Sequence, residues 1–169
     1  MSIEEKWSLV RENMQEEDAD FLFVSKLDDI MWFLNVRGND VKCNPVALSY
    51  LYILKDELHL FIQQKAVLPK VRKYLEKNQV QIHDYEEVFS FLQKAAKGLA
   101  GIVDKEETSY LAFESVSEKG TVLKVRNPIE LQKVVKSPNE LEHIRHFYLL
   151  DSVAVCKYLY HMKKEGVGM

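Results

Sequence analysis

A chain of 169 residues, 47% apolar and 29% charged, suits one globular domain with a helix to spare and excludes a disordered tract. Its net charge of −3, from 23 basic and 26 acidic residues, gives no basic excess for nucleic acid. No apolar run approaches the roughly 18 residues of a membrane span, and Met1-Ser2-Ile3-Glu4-Glu5-Lys6 is too polar for a signal peptide, so a cytoplasmic protein without nucleic-acid or membrane partners is expected.

Ile3, Trp7, Val10 and Met14 share one face of a first helix that ends before Asp20. Phe21-Leu22-Phe23-Val24 is the continuous apolar run of a strand buried on both faces. Ser25 is expected to cap a brief helix through Ile30, Trp32 and Phe33. Residues 35–45 form a loop. Val46 to Ile53 and Leu58 to Ile62 read as two strands joined by a tight turn at Lys55-Asp56-Glu57. Pro69 opens a helix with Val71, Tyr74 and Leu75 inward, and Val80-Gln81-Ile82 is a short strand. Asp84 and Glu87 have capping-box spacing ahead of a helix striped by Val88, Phe91, Leu92 and Ala95, which Gly98 ends. Ala100 to Val103 is a strand, Thr108 starts a short helix through Phe113, and Thr121 to Val125 is the last strand. This alternation predicts an α/β fold, a three-layer mixed sheet flanked by helices.

Asn127-Pro128-Ile129-Glu130 opens one more short helix. Ser137-Pro138-Asn139-Glu140 opens a long one with a cap, a proline at the first helical position and a capping box. That helix carries Leu141, Ile144, Tyr148, Leu149, Val153, Cys156 and Leu159, a stripe that needs a partner surface. It is expected to pack back on its own domain or against a second copy. The boundary is placed between residues 136 and 137.

Few residues offer chemistry. There is no G-x-S-x-G, P-loop, G-x-G-x-x-G or H-E-x-x-H motif. Glu140-x-x-His143 has metal-ligand spacing, but a di-metal bundle needs that motif on two helices, so a solvated face is the better reading of His143 and His146. His59 reads as a half-buried polar strand residue, and the turn at Asp84 accounts for His83. Asp28-Asp29 fits the first turn of a helix, where carboxylates meet the positive end of the dipole. Cys43 and Cys156, far apart, read as free thiols. The loop Asn35-Val36-Arg37-Gly38-Asn39-Asp40 stands out: its guanidinium suits a carboxylate or carbonyl ligand, against a structural Arg–Asp pair within the loop.

Leu27-Asp28-Asp29-Ile30-Met31-Trp32-Phe33-Leu34-Asn35-Val36-Arg37-Gly38-Asn39-Asp40, then Asn44-Pro45-Val46 and Ser49-Tyr50, resemble the middle domain of three-domain Xaa-Pro aminopeptidases of the M24 metallopeptidases. Asn127-Pro128-Ile129, Lys133, Lys136-Ser137, Glu140, Arg145 and residues 151–156 resemble the junction into that family's catalytic domain. Met31 and Val36 stand where the family often has alanine and leucine.

The resemblance implies a creatinase/prolidase N-terminal-like, RNase H-like fold for residues 1–136. It makes residues 137–169 the first helix of a "pita-bread" catalytic domain. The implied parent activity is hydrolytic release of the residue preceding proline, using two divalent ions (manganese, cobalt or zinc) held by ligands of that later domain. No catalytic or metal residue is therefore assigned to this chain, and alone it is expected to be inactive and to hold no cofactor. Implied partners are the catalytic domain, a peptide substrate of the parent, and a homo-oligomer through the last helix. Asn35 and Arg37 are the substrate-proximal candidates. Two alternatives remain: a catalytically inactive protein-binding module on the same fold, and a small-ligand enzyme with carboxylates clustered at strand ends.

Overall fold

The computed structural model describes residues 1–166, which form two compact units divided after Lys133. The first contains α1 (Ile3–Glu16), β1 (Phe21–Val24), α2 (Leu27–Leu34), β2 (Ser49–Leu54), β3 (Leu58–Ile62), α3 (Pro69–Lys77), β4 (Val80–His83), α4 (Val88–Ala95), β5 (Ala100–Val103), α5 (Tyr110–Ser117), β6 (Thr121–Leu123) and nearly all of α6 (Pro128–Val134). The second is α7 (Pro138–Glu165) with its lead-in. Residues 167–169, the end of the expected second segment, lie outside the described residues.

The six strands run in the order β4-β3-β2-β1-β5-β6. β2 is antiparallel to β1 and β3; the β3–β4, β1–β5 and β5–β6 pairs are parallel. The sheet is thus mixed, as the alternation predicted. Its two faces follow from the two-residue period of a strand. Leu22 and Val24 of β1 join Ile3, Trp7, Val10 and Met14 of α1 with residues of α2, α3 and α6 in one core. Phe21 and Phe23 point the other way, into a core with Val88 and Leu92 of α4 and Ala112 and Val116 of α5. β1 is buried along its whole length because it is covered on both faces.

Five local expectations need correction. Ser25 does not cap α2; Lys26 occupies that position without a side-chain cap, and the Ser25 hydroxyl instead donates to the Glu107 carbonyl at 2.7 Å, tying the turn after β1 to the loop after β5. β2 begins at Ser49 rather than Val46, because its ladder to β3 begins with Ser49 opposite Ile62, while Val46 bonds within the preceding loop. Asp84 and Glu87 make no capping box: residues Tyr85–Glu87 form a 3-10 turn, held by the Glu87 amide on the Asp84 carbonyl. Ser109, not Thr108, caps α5, its hydroxyl accepting from the Ala112 amide at 3.4 Å, and the helix continues to Ser117. β6 also stops at Leu123, where its pairing with β5 ends.

α7 has the capping box read from the sequence: the Ser137 hydroxyl accepts from the Glu140 amide, and the Glu140 carboxylate accepts from the Ser137 amide. No residue of this 28-residue helix is buried. Its exposed apolar residues extend beyond the expected stripe to Phe147, Leu150, Val155, Tyr158, Tyr160 and Met162. At about 100° per residue, Leu141, Ile144, Tyr148 and Val155 lie along one side, Leu149, Val153 and Tyr160 along another, with Leu150 and Phe147 between. A helix apolar on several sides has the character of one buried in a larger core. Cys43 and Cys156 are free and exposed.

Candidate functional site

The loop after α2 is rooted by α1. α2 ends at Asn35, whose backbone is left-handed (φ 54°, ψ 35°), a conformation that asparagine tolerates better than most residues. Its side chain is engaged at both ends: the carbonyl accepts from Lys6 Nζ at 2.6 Å, and the amide donates to the Met1 carbonyl at 3.0 Å. Lys6 is buried, donates also to the Trp32 carbonyl, and sits 4.0 Å from the centroid of the Trp32 ring. An ammonium is tolerated inside only where acceptors and a ring face replace water.

Beyond Asn35 the loop folds back on itself. The Gly38 amide donates to the Pro45 carbonyl and the Asp40 amide to the Val46 carbonyl, both at 3.1 Å. A Cβ on Gly38 would lie 2.4 Å from the Ala47 amide nitrogen, so only glycine permits this approach. Asp40 is taken up by the Leu48 amide at 2.8 Å. The Arg–Asp pair entertained from the sequence therefore does not form. Arg37 is exposed, donates to the Val36 carbonyl at 2.8 Å, and has no ion pair among the described residues.

Arg37 stands at the lip of a groove of about 390 Å³ between this loop, the 3-10 turn Gln64–Ala66 and α3. Met31, Val36, Leu60, Ile62, Val67 and Val71 provide its apolar lining. A charged, weakly hydrated fork at the mouth of an apolar groove can hold a carboxylate or a polarised carbonyl while the groove takes the attached side chain. Among the described residues the groove's only carboxylate is Asp40, which is held by the Leu48 amide.

A larger cleft, about 650 Å³, opens at the carboxyl ends of β5 and β6. Three of its charged residues are paired: Arg126 Nε meets Glu130 at 2.9 Å, while Nζ of nearby Lys26 meets Glu107 at 2.5 Å and Glu130 at 3.5 Å. The hydrogen bond to Glu107 is the main cause of the raised pKa of Lys26.

Asp28 and Asp29 belong to this region and do more than decorate a helix start. Asp29 is fully buried, accepts from Asn127 Nδ2 at 2.8 Å and from Lys133 Nζ at 2.5 Å, and so fastens α2 to α6. Burial pushes the Asp29 pKa up, against the pull of Lys133. Asp28 is also disfavoured by burial, yet its hydrogen bond and attraction to the Lys133 ammonium hold it below its ordinary value. Asn127 is buried and turns its own carbonyl to the Ile129 amide at 3.0 Å. Lys6, Asn127 and the Asp29–Lys133 pair were missed as structural anchors, since no local pattern joins residues 26 to 104 positions apart.

Among the described residues, no group of three or more His, Cys, Asp or Glu side chains could hold a metal ion. Glu140 is occupied by its capping box, which accounts for the lone E-x-x-H spacing. No described helix is long and apolar enough to cross a membrane.

Residues 1–140 match the family of the creatinase/prolidase N-terminal domain. Xaa-Pro aminopeptidase app-1 of Caenorhabditis elegans is 31% identical over 162 residues, covering 92% of this chain and 26% of that protein. Xaa-Pro aminopeptidase 1 of Dictyostelium discoideum is 32% identical over 163 residues, covering 96% and 26%. The crystal structure of X-prolyl aminopeptidase from C. elegans, described as a cytosolic enzyme with a di-nuclear active site, superposes with a TM-score of 0.85 at 29% identity, over 98% of this chain and 28% of that one. Aminopeptidase P from Streptococcus thermophilus shares the fold (TM-score 0.57, 12% identity) over 78% of this chain and 98% of the solved chain. The chain spans about a quarter of the length of the curated relatives it matches.

Proposed function

Because the chain belongs to the creatinase/prolidase N-terminal domain family, we propose that it is the non-catalytic part of an Xaa-Pro aminopeptidase, shaping the substrate cleft while the hydrolysis occurs elsewhere. The observation that carries this reading is Arg37: an arginine without an ionic partner among the described residues, on a loop anchored at both ends, beside an apolar groove. In the complete enzyme Arg37 orients the peptide through a carboxylate or carbonyl. Asn35, whose amide is spent on Lys6 and Met1, sets the position of the loop.

A two-metal centre does not fit the side chains described here. Manganese, cobalt or zinc would belong to ligands of a companion catalytic domain, where two such ions activate water and polarise the scissile carbonyl. Ser137 and α7 (Pro138–Glu165) are the first helix of that pita-bread domain. The wide apolar surface of α7 supports this, because a helix exposed on several sides to water forms no stable structure by itself. In the chain alone, the same surface would be covered by a second copy. The assignment to the cytoplasm rests on the described C. elegans relative.

The test is Arg37→Ala in the complete peptidase that carries this domain. kcat/KM for an Xaa-Pro peptide falls while the melting temperature holds. Unchanged kinetics would remove Arg37 from the cleft.

A further inference from the structure

The sheet face covered by α4 holds a row of four titratable side chains that the reading above does not use. His59 on β3 is buried. Its ring lies 4.8 Å from that of Phe91 and 6.2 Å from that of Tyr52, centroid to centroid. His83, at the end of β4, stacks on Phe61 at 5.0 Å and also faces Phe91, at 5.8 Å. The imidazoles meet edge to edge, with His59 Nδ1 and His83 Nε2 3.0 Å apart. On its far side His59 Nε2 lies 2.9 Å from the Glu57 carboxylate, and on its far side His83 Nδ1 lies 3.9 Å from that of Glu87. The row therefore runs Glu57–His59–His83–Glu87, with half-exposed carboxylates at both ends.

A nitrogen–nitrogen contact of this length needs one N–H and one lone pair. With His59 carrying its proton on Nε2, that proton goes to Glu57, and the free Nδ1 accepts from His83 Nε2. One excess proton fits: placed on His83 Nδ1, it faces the Glu87 carboxylate at ion-pair distance, just ahead of α4. A second does not fit. Placed on His59 Nδ1, it sets two N–H groups and two positive rings against each other inside a box of aromatic side chains.

We propose that this row is a proton-operated clasp between β3, β4 and α4, closed with at most one excess proton on the histidine pair and opened by a second. Opening loosens the 3-10 turn and the Phe91 contact of α4, which acts beside Val88 and Leu92 in holding that helix on the sheet. Among the described residues, Glu57 and Glu87 are the carboxylates paired with the two imidazoles. β2 presents Tyr52, whose buried hydroxyl has no hydrogen-bond partner and whose pKa is driven up by burial. α4 presents the Phe91 ring, Gln81 reaches Glu57 at 3.5 Å, and the cleft lined by Glu87 is also lined by Lys65, Asp84 and Glu86. Burial lowers the His59 pKa, with the hydrogen bond to Glu57 opposing and the neighbouring His83 adding to the fall. A histidine with a lowered folded value contributes fully above its ordinary ~6.5 and loses that contribution as pH falls toward the folded value.

The experiment is amide hydrogen exchange of the intact chain, read as protection factors for residues 88–95 between pH ~7.5 and ~5, with the His59 ring titration followed by NMR. Protection falls at least about tenfold, the equivalent of one pKa unit, at the pH where His59 titrates, and His59→Phe abolishes the fall. Constant protection in the parent chain, or an equal fall in His59→Phe, overturns the clasp. If His59→Phe does not fold, His83→Gln decides: its amide cannot take a charge and can turn its carbonyl to a protonated His59, so the two-proton clash never forms and the fall in protection disappears. An unmoved transition there overturns the proposal.

Discussion

Replacing Lys133 with methionine isolates the ion pair that holds the buried Asp29 carboxylate. The Asp29 carboxylate is fully buried and has two partners, Lys133 Nζ at 2.5 Å and Asn127 Nδ2 at 2.8 Å. The substitution keeps the length of the side chain, which is mostly buried, but leaves Asp29 with one neutral donor. Breaking a buried pair from one side costs about 3–5 kcal/mol, because the remaining charge stays inside. Lys133 is about one-fifth exposed and Asp28 shares its ammonium, so the lower end, about 3 kcal/mol, is expected. For a domain of this size that lowers Tm by roughly 10 °C. Two further readings tie the loss to the stranded charge. Asp29→Asn in the Lys133→Met background recovers part of it, since the amide still accepts from Asn127. The sign with pH also changes. Burial raises the folded pKa of Asp29, and loss of Lys133 raises it further. A carboxyl with a raised folded value contributes fully below its unfolded value of about 3.9 and loses that contribution as pH rises through the folded one. Lys133→Met is therefore less handicapped relative to the parent near pH 5 than near pH 7. Thermal denaturation followed by circular dichroism at both pH values is the assay. A fall in Tm below about 2 °C, or no recovery in the double variant, would refute the reasoning.

Arg37→Ala in the complete peptidase lowers kcat/KM for an Xaa-Pro peptide by about tenfold, the effect of one lost charge-assisted contact; a matching drop in Tm would assign the residue to the fold instead. Asn35→Ala loses two hydrogen bonds and the residue type that tolerates φ 54°, and costs about 2 kcal/mol in a urea melt; unchanged stability would contradict its anchoring role. Ser137→Ala removes the hydroxyl that accepts from the Glu140 amide, leaves the Ser137 backbone amide on the Glu140 carboxylate, and costs about 1 kcal/mol of α7 stability, seen as faster exchange in the first turn of that helix. The chain alone sediments as more than a monomer, and paired substitutions of Leu149 and Val153 by glutamate reduce the association; a strict monomer at every concentration would contradict this.

The parts of the fold legible in the sequence are those with a local physical signature. The one-sided spacing of Ile3, Trp7, Val10 and Met14 defines α1, and the unbroken apolar run of Phe21–Val24 marks a strand covered on both faces. Gly98, at φ 75°, closes the turn after α4, as glycine should. Legibility fails where distant residues decide. Ser25 has the chemistry of a cap, but the Glu107 carbonyl, brought near by the β1–β5 pairing, claims its hydroxyl. Asp84 and Glu87 have capping spacing, yet the chain forms a 3-10 turn there. Asp29 looks like an ordinary first-turn carboxylate until α6 delivers Lys133. At the candidate site the loop and Arg37 were visible as a composition out of place. The groove beside them was not, since α3 and the Gln64–Ala66 turn come from later in the chain. The meeting of His59 and His83 likewise depends on β3 and β4 lying side by side.

The division of labour is tested most directly by assaying the purified chain with an Xaa-Pro peptide and added manganese, cobalt or zinc. The account predicts release of the first residue at the rate of buffer and metal alone. Metal-dependent turnover that survives repurification and disappears on chelation would contradict it, because water would then be activated by side chains of this polypeptide.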